Sequence, residues 1–552
     1  MNDPHLLSTV PQEVLEHIAF AAATDTSGLL SNIVPLLLTS RHVHGCLSIT
    51  TNPHLYARIF CAKFDTAAAR VSFASSSDQL TSYALASELQ RRCTVLQRIK
   101  ARTDSTKRAR RAAQAEDKED LSLTVHDVLS TAYIMMLEDE GRNRTLLVDY
   151  AGMKNWLREF WFDPDGASLA IHSIRTGHWP PNRPETALGM WLFWFLLYTD
   201  DYPFSVIDGP EAPVNVLKIM ALGAHIYNLT TTTWSQFEPN FAARKTVPPE
   251  STILYGTTIE LTPPPLATAA ILSFLALVNK RRSIPLPPSN VPRPRHPEWE
   301  WDTEWGKCFV KPRRDLTECF RPGSIEGVWE GFFLYSEFTA YAALLAGAPP
   351  VILQKSAVGK HQQTWKLREH HLLAADDDTS GSDSGIELDR YDVRQGKSTE
   401  AGMTPLRAGD PLRSYFPTGA QIREGRDGLV VQESSDSNAR VLRYQRASCA
   451  ERKRNVGVEV LEEEQSRKVV DIIITGEGHS AWGQFNLVGR IRPCDGFISL
   501  SKDYVDGDRG KWLYRGYLVG NTNGNLAGRW RDTLSPAEVP GYEGCFVMSR
   551  RR

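Results

Sequence analysis

Apolar residues recur at helical spacing near the start of the chain: after Val10-Pro11, the positions Val14, Leu15, Ile18 and Ala19 follow one another along one side, with Glu13 and Glu16 close to the beginning. Negative charge suits the first turn of a helix, and the residue before a proline is pushed out of the helical region. The pattern therefore predicts a helix with Pro11 in its first turn and Thr9 as its cap. Thr26-Ser27-Gly28 interrupts it. Leu36, Leu37, Leu38, Val43 and Leu47 form a second apolar series, which Asn52-Pro53 ends, and Leu55-Tyr56 opens a third short helix. So small a cluster buries too little surface to stand alone, which predicts a leftover apolar face that needs a partner.

The helical period continues through the middle. Leu85, Leu89, Val95, Leu96 and Ile99 alternate with Arg91, Arg92, Arg98 and Lys100, predicting a helix over 83–101 with a basic outer face. Further helices are expected over 128–137, 146–161, 186–198, 214–224 and 266–278. The aromatic series Trp156, Phe160, Trp161, Trp191, Phe193, Trp194 and Phe195 reads as core. Pro263-Pro264-Pro265 and the run 284–297, IPLPPSNVPRPRHP, favour extended backbone, and the second marks a domain boundary.

From Gly327 onward the period becomes two. Trp329, Gly331, Phe333 and Tyr335 alternate with Val328, Glu330, Phe332 and Leu334, and later strands are expected over 429–433, 441–444, 469–475, 484–491, 497–500, 511–519, 526–531 and 545–549. Asp427-Gly428, Asp495-Gly496, Asp506-Gly507 and Asn523-Gly524 lie between them, and such pairs supply the positive backbone angles of tight hairpins. Many antiparallel strands joined this way favour closure into a barrel, which removes exposed edges. The fold class is thus α+β and multidomain: helices at 1–66 and in a support domain at 67–283, a proline-rich connection at 284–325, and an antiparallel β-barrel at 326–552 with an acidic insertion near 374–400.

Composition narrows the function classes. A chain of 552 residues with 41% hydrophobic and 23% charged residues is globular and too long for one ordinary core. Its formal net charge of -2 provides no global attraction to nucleic acid or acidic lipid. The basic block Lys107 to Arg111 is followed by acids at Glu116 to Asp120 and carries no interleaved aromatic residues, so it reads as a solvated helical face rather than an import signal or an RNA patch. The cysteines at 46, 61, 93, 308, 319, 449, 494 and 545 form no C-x-x-C pair, which speaks for idle thiols in a reducing compartment, cytoplasmic or nuclear. The N-terminus lacks the pattern of a secretory signal, so Asn143-Arg144-Thr145 and Asn228-Leu229-Thr230 read as chance sequons. The run from Ala187 to Tyr198 is shorter than the roughly 17 to 25 residues of a membrane helix and reads as a buried core helix.

Candidate chemistry is sparse. Asp376 to Glu387 follows the twelve-position calcium-loop pattern, but Asp383 stands where an apolar residue belongs, and an acidic, serine-rich insertion explains the same letters. Ser384, three residues before Glu387, suits an acid-directed kinase. Glu369 and His371 project to one face of a strand without a third ligand, so they read as barrel-lining polar residues. Gly476 to Ser480 lacks the glycine spacing of a nucleophile elbow or a dinucleotide loop. No catalytic residue, metal or cofactor is expected.

The run Val10-Pro11-x-Glu13-Val14-Leu15-x-x-Ile18, then Leu38-x-Ser40-Arg41-x-Val43, then Pro53-x-Leu55-Tyr56, resembles an F-box. The resemblance implies docking on the Skp-type adaptor of a cullin (SCF) ubiquitin ligase. In the second half, Gly323-Ser324-x-x-Gly327-x-Trp329-x-Gly331, Leu367 to His371, Gly489-Arg490-x-Arg492-Pro493-x-Asp495-Gly496, Trp512-x-x-Arg515 to Gly520, Gly528-x-Trp530-Arg531 and Glu543-Gly544-x-Phe546-x-Met548-Ser549-Arg550 look like a group of fungal F-box proteins. The barrel resembles the lipocalin-like C-terminal part of some animal F-box-only proteins.

What this implies is a non-catalytic substrate receptor in ubiquitin-dependent degradation. Pro11, Val14, Leu15, Ile18, Leu38, Val43, Leu47 and Leu55 are the expected adaptor contacts, and the barrel would recruit a protein substrate through residues not identifiable from sequence. Partners are the adaptor, the cullin ligase and that substrate, with neither nucleic acid nor membrane involved. Two alternatives stay open. One is a small-molecule-binding or enzymatic barrel whose F-box-like helices are only structural, and the other is a scaffold that binds the adaptor but never the cullin.

Overall fold

A computed structural model describes residues 10–24, 29–30, 33–74, 80–115, 123–202, 212–229, 250–279, 301–308, 320–373, 404–405, 410–416, 419–425, 428–432, 441–447, 469–493, 495–506, 509–521, 524–536 and 539–551. Thr9, the proline-rich run 284–297 and the acidic segment 376–387 lie outside them.

Helix α1 (Gln12–Thr24) buries Leu15, Ala19 and Ala23. Pro11 sits one step before it, its carbonyl accepting from the amides of Val14 (3.1 Å) and Leu15 (3.2 Å). The second apolar series is two helices rather than one, α2 (Ile33–Leu37) and α3 (Arg41–Leu47), because Ser40 caps the latter by accepting from the Val43 amide at 3.1 Å. Asn52 likewise caps α4 (Pro53–Lys63), accepting from Leu55 N at 3.1 Å, and it donates to Glu16 at 2.7 Å, which ties α4 to α1. α5 (Ala67–Ala74) follows.

α6 (Ser82–Ala101) departs from its expected basic outer face. Arg92 and Arg98 are buried, because each has a carboxylate partner inside: Arg92 meets Glu88 (2.8 Å) and Glu138 (2.6 Å), and Arg98 meets Asp104 (2.7 and 3.0 Å). Paired charges can be buried where lone ones cannot. α7 (Lys107–Ala115) holds the basic block as a helix, Lys107, Arg108 and Arg111 exposed and Arg110 paired with Asp104.

The middle continues as α8 (Val125–Leu137), α9 (Arg142–Thr145), α10 (Met153–Phe162), α11 (Ala170–Arg175), α12 (Pro184–Leu196), α13 (Pro213–Leu222), α14 (Leu266–Val278) and α15 (Asp302–Cys308). All seven aromatic residues expected in the core are buried, and α12 is enclosed from Thr186 to Leu196. Among the described residues no helix is long and apolar enough to cross a membrane. An antiparallel hairpin of β1 (Glu250–Leu254) and β2 (Thr257–Leu261), turning at Tyr255-Gly256 with φ of 51° and 78°, interrupts this helical half. No Asn-Gly or Asp-Gly pair announces it.

The second half closes into an eight-stranded antiparallel barrel. Its strands are β3 (Gly327–Ser336), β4 (Val358–Leu373), β9 (Val469–Ser480), β10 (Gly483–Ile491), β11 (Ile498–Tyr504), β12 (Lys511–Val519), β13 (Asn525–Asp532) and β14 (Glu543–Arg550). Their spatial order is β3-β14-β13-β12-β11-β10-β9-β4, and β3 pairs with β4 to shut the ring. Two helices, α16 (Phe338–Leu345) and α17 (Val351–Lys355), sit between β3 and β4. β4 outlasts its partner: its first ten residues pair with β3, and His370 to Leu372 pair with β8. There it carries an appended sheet of β5 (Thr404–Pro405), β6 (Gln421–Glu424), β7 (Gly428–Gln432) and β8 (Val441–Arg446). Asp495-Gly496 falls between β10 and β11 and Gly428 opens β7, while Asp427, Gly507 and Asn523 lie outside the described residues.

One core runs from the N-terminal helices through the middle to the outer wall of the barrel, where Phe332, Leu334, Val519, Ala527, Cys545 and Val547 join it. A second fills the barrel and a third lies under the appended sheet.

Candidate functional site

The eight residues expected at the adaptor contact divide into two groups. Leu15, Val43, Leu47 and Leu55 are enclosed by the chain itself, each 0% exposed. Pro11, Val14, Ile18 and Leu38 face outward, with Val14 46%, Ile18 47% and Leu38 78% exposed. Val34, at 52%, joins them; it was missed because Ile33-Val34 reads as one apolar step with no indication of which side chain turns in. Val14 and Ile18 are four residues apart on α1, and Val34 and Leu38 are four apart on α2 and just beyond it, so each pair forms an outward stripe. Apolar side chains are thus left exposed on α1 and along α2, but fewer than the sequence suggests, since Leu15, Val43, Leu47 and Leu55 are covered by this chain's own helices.

That stripe is mounted on a stiff base. Tyr56 donates to the Leu47 carbonyl at 2.9 Å, and Asp65 accepts from the amides of Glu140, Arg142 and Asn143 at 2.9 to 3.0 Å. The Arg92 guanidinium lies over the rings of Phe60 and Phe64 at 5.1 and 5.5 Å while holding its two carboxylates and donating to Tyr255 Oη at 3.1 Å. Burial pushes the Glu138 carboxyl above its ordinary value, and Arg92 pulls the other way.

The barrel has one plugged end. Glu369, fully buried, accepts from the amides of Gly323 (2.7 Å), Ile325 (2.5 Å) and Glu326 (3.0 Å), and His371 Nε2 lies 2.9 Å from the same carboxylate. Trp329 donates its indole N–H to the Ile325 carbonyl at 2.8 Å, and the Arg550 guanidinium covers that indole at 5.1 Å while binding the Ser324 carbonyl. The Glu369–His371 pair is therefore barrel-lining, its carboxylate occupied by backbone amides. Among the described residues no group of three His, Cys, Asp or Glu side chains is placed to hold a metal.

At the other end the lining is aromatic. Tyr335, His361 and Trp482 are each partly exposed; Tyr335 and His361 stack at 5.6 Å and their Oη and Nε2 are 3.1 Å apart, and Trp482 lies 4.7 Å from the His361 ring. Below them an amine faces inward. Lys502, 1% exposed, has its Nζ 3.9 Å from the Phe485 ring centroid, 4.8 Å from Tyr504, 5.0 Å from Phe333 and 5.6 Å from Tyr514, and it donates to Gln363 Oε1 at 3.2 Å. Burial pushes this amine down to about 7.

No family model, curated protein or solved structure matches this chain. Its functional reading therefore rests on its own residues. Sequence reasoning missed Lys502 because the strand expected over 497–500 stops short. Extending its alternation through Ile498, Leu500, Lys502 and Tyr504 places the lysine on the inner face.

The cysteines described, Cys46, Cys61, Cys93, Cys308 and Cys545, are all free thiols, and burial pushes Cys93 and Cys545 up to about 12, away from the reactive thiolate. Asn143, the first sequon asparagine, is fully buried with its amide donating to the Met135 carbonyl at 2.9 Å. The second sequon runs beyond the described residues at Thr230.

Proposed function

We propose that this chain is a non-catalytic substrate receptor of an SCF-type cullin ubiquitin ligase, working in the cytosol or the nucleus. The observation that carries the reading is the outward apolar stripe on helices whose sequence resembles an F-box. Of the thirteen large apolar side chains exposed among the described residues, four fall between positions 14 and 38. A concentration of that kind on a folded chain favours a protein partner.

In this reading the adaptor contacts Pro11, Val14, Ile18, Val34 and Leu38, while Leu15, Val43, Leu47 and Leu55 hold α1, α3 and α4 in the arrangement that presents them. The barrel recruits a protein substrate. Rate enhancement comes from tethering, which raises the local concentration of a substrate lysine beside the charged conjugating enzyme.

The burial pattern dictates the test. Leu15→Asp would unfold the helices, so the informative variant is Val14→Asp with Ile18→Asp, which alters exposed positions only. Losing two apolar contacts at a desolvated interface is worth about 3 kcal/mol, on the order of a hundredfold in affinity. Calorimetric titration with a recombinant Skp-type adaptor is expected to show that loss at unchanged circular dichroism. Undiminished binding by the double variant overturns the proposal.

A further inference from the structure

We propose that Lys502 is the attachment point for an apolar aldehyde, which the barrel holds at its aromatic end as an imine. The inference stands on the barrel alone and needs no adaptor.

A lysine at an inward position of a closed barrel requires an explanation, because the alternation that puts Ile498, Leu500 and Tyr504 inside would accept any apolar residue there. An ammonium has three donors. The elements around Lys502 offer it one amide oxygen, that of Gln363, and four rings: Phe333 from β3, Phe485 from β10, Tyr504 from β11 and Tyr514 from β12. Among the described residues no carboxylate is recorded as its partner, and the downward shift comes from burial. That is an environment for a neutral amine, the nucleophilic form.

The surroundings fit the other reactant. Phe333 belongs to two layers at once: it lies beside Lys502, and its ring is 5.2 Å from Trp482 and 5.4 Å from His361 in the partly exposed outer layer. Phe333 thus lies between the amine and the partly exposed ring of Trp482. Two glycines let the rings lie flat against the wall. A Cβ at Gly359 would stand 2.2 Å from Tyr335 Cζ, and one at Gly478 would stand 2.4 Å from Phe485 Cε2. A flat, unsaturated or aromatic aldehyde matches such a lining better than a polar sugar or a charged metabolite.

The chemistry balances without oxidant or reductant. The amine nitrogen adds to the carbonyl carbon, and one N–H proton passes to the oxygen, giving a carbinolamine. The C–O bond then breaks, the hydroxyl leaves with the second N–H proton as water, and a C=N bond remains. Among the described residues the Tyr335–His361 pair and the Tyr504 hydroxyl, 3.3 Å from Ser480 Oγ, are proton-carrying groups at the aromatic end.

The test uses the full chain and cinnamaldehyde as probe, with borohydride reduction and peptide mapping by mass. At pH 7.5 an amine with a value near 7 is roughly three-quarters neutral, against about one in a thousand for an ordinary surface lysine. Lys502 is therefore expected to carry the first adduct, more than about a hundredfold faster per residue than exposed Lys366, with a rate half-maximal near pH 7. Lys502→Arg is expected to abolish that adduct and leave slow surface labelling unchanged. Labelling spread over surface lysines with Lys502 unmodified overturns the proposal, as does a Lys502 rate that rises only above pH 9. Neither result bears on the adaptor stripe, so the two proposals fail separately.

Discussion

At neutral pH Lys502 subtracts from the stability of the barrel that encloses it, and the sign follows from its shift. Its folded value is about 7 against 10.5 for an ordinary lysine, so between those limits the unfolded chain binds a proton that the folded chain does not. Stability then rises with pH across that window, and the penalty is complete below about 7. Lys502→Met removes the penalty at similar volume. The variant is expected to melt several degrees above the parent at pH 7, with the gap closing toward pH 10.5; an equal gap at both pH values contradicts a buried, depressed amine. A residue retained at such a cost to the fold is a natural place to look for function. The same scale shows what one sequence can and cannot reveal. Val14, Leu15, Ile18 and Ala19 are all apolar, so periodicity shows a helix but not which of its two adjacent stripes turns inward. Leu15 and Ala19 go in because α3 and α4 offer them Val43, Leu47 and Leu55, a tertiary fact. Arg92 misled in the opposite direction: its partners are four and 46 positions away, and only the nearer lies at helical spacing.

Elements were legible where local chemistry dictates them. The β10–β11 connection carries Asp495-Gly496, and the aromatic helix α12 is apolar around its whole circumference from Ala187 onward, as a helix enclosed on all sides must be. The hairpin of β1 and β2 was not legible, because its turn places Tyr255, rather than Asn or Asp, in the left-handed region. Its reward lies elsewhere: the Tyr255 hydroxyl is 3.0 Å from both Glu138 oxygens and takes an Arg92 hydrogen bond, so the hairpin tip, α6, α8 and, through Phe60, α4 meet at one buried charge cluster. Removing the cation leaves charge without compensation. Arg92→Met is expected to cost about 3 to 5 kcal/mol in urea unfolding, because it leaves Glu88 and Glu138 buried without their cation, whereas Glu88→Leu, Arg92→Met and Glu138→Leu combined regain most of that loss, because an apolar replacement of the whole cluster removes the desolvation cost as well. Additive single effects would show that Arg92, Glu88 and Glu138 do not act as a cluster.

For the whole molecule, the question is whether the barrel is a separate body or an extension of the helical half, since a receptor works by holding substrate at a set distance from its adaptor. Strand β3 held the clue: Phe332 and Leu334 are as apolar as the inward Phe333, and a strand apolar on both faces is covered on both. The outer wall of β3, β13 and β14 lies against the core of the helical half, and Arg529 crosses the join. It projects outward from β13, fully buried, and donates to the carbonyls of Met220 (3.3 Å) and Ala221 (3.1 and 3.3 Å) in the last turn of α13 and to that of Tyr227. A cation at this position complements the negative end of the helix. Beside it the Glu543 carboxyl is pushed up to about 7 by burial, with Arg529 the leading group opposing that shift. Arg529→Met therefore strips three carbonyls of their donor and raises Glu543 further. The loss is expected at about 3 to 5 kcal/mol, the range for breaking a buried charged contact, and it falls on the join rather than on either core. Scanning calorimetry is the direct measurement. The parent is expected to unfold with its barrel and helices coupled, and Arg529→Met to separate the melting into two transitions, one of them keeping the Lys502-dependent pH response of the barrel. A variant that melts as a single transition with an unchanged midpoint would mean that the apolar wall alone joins the two halves, and that Arg529 contributes nothing to their fixed spacing.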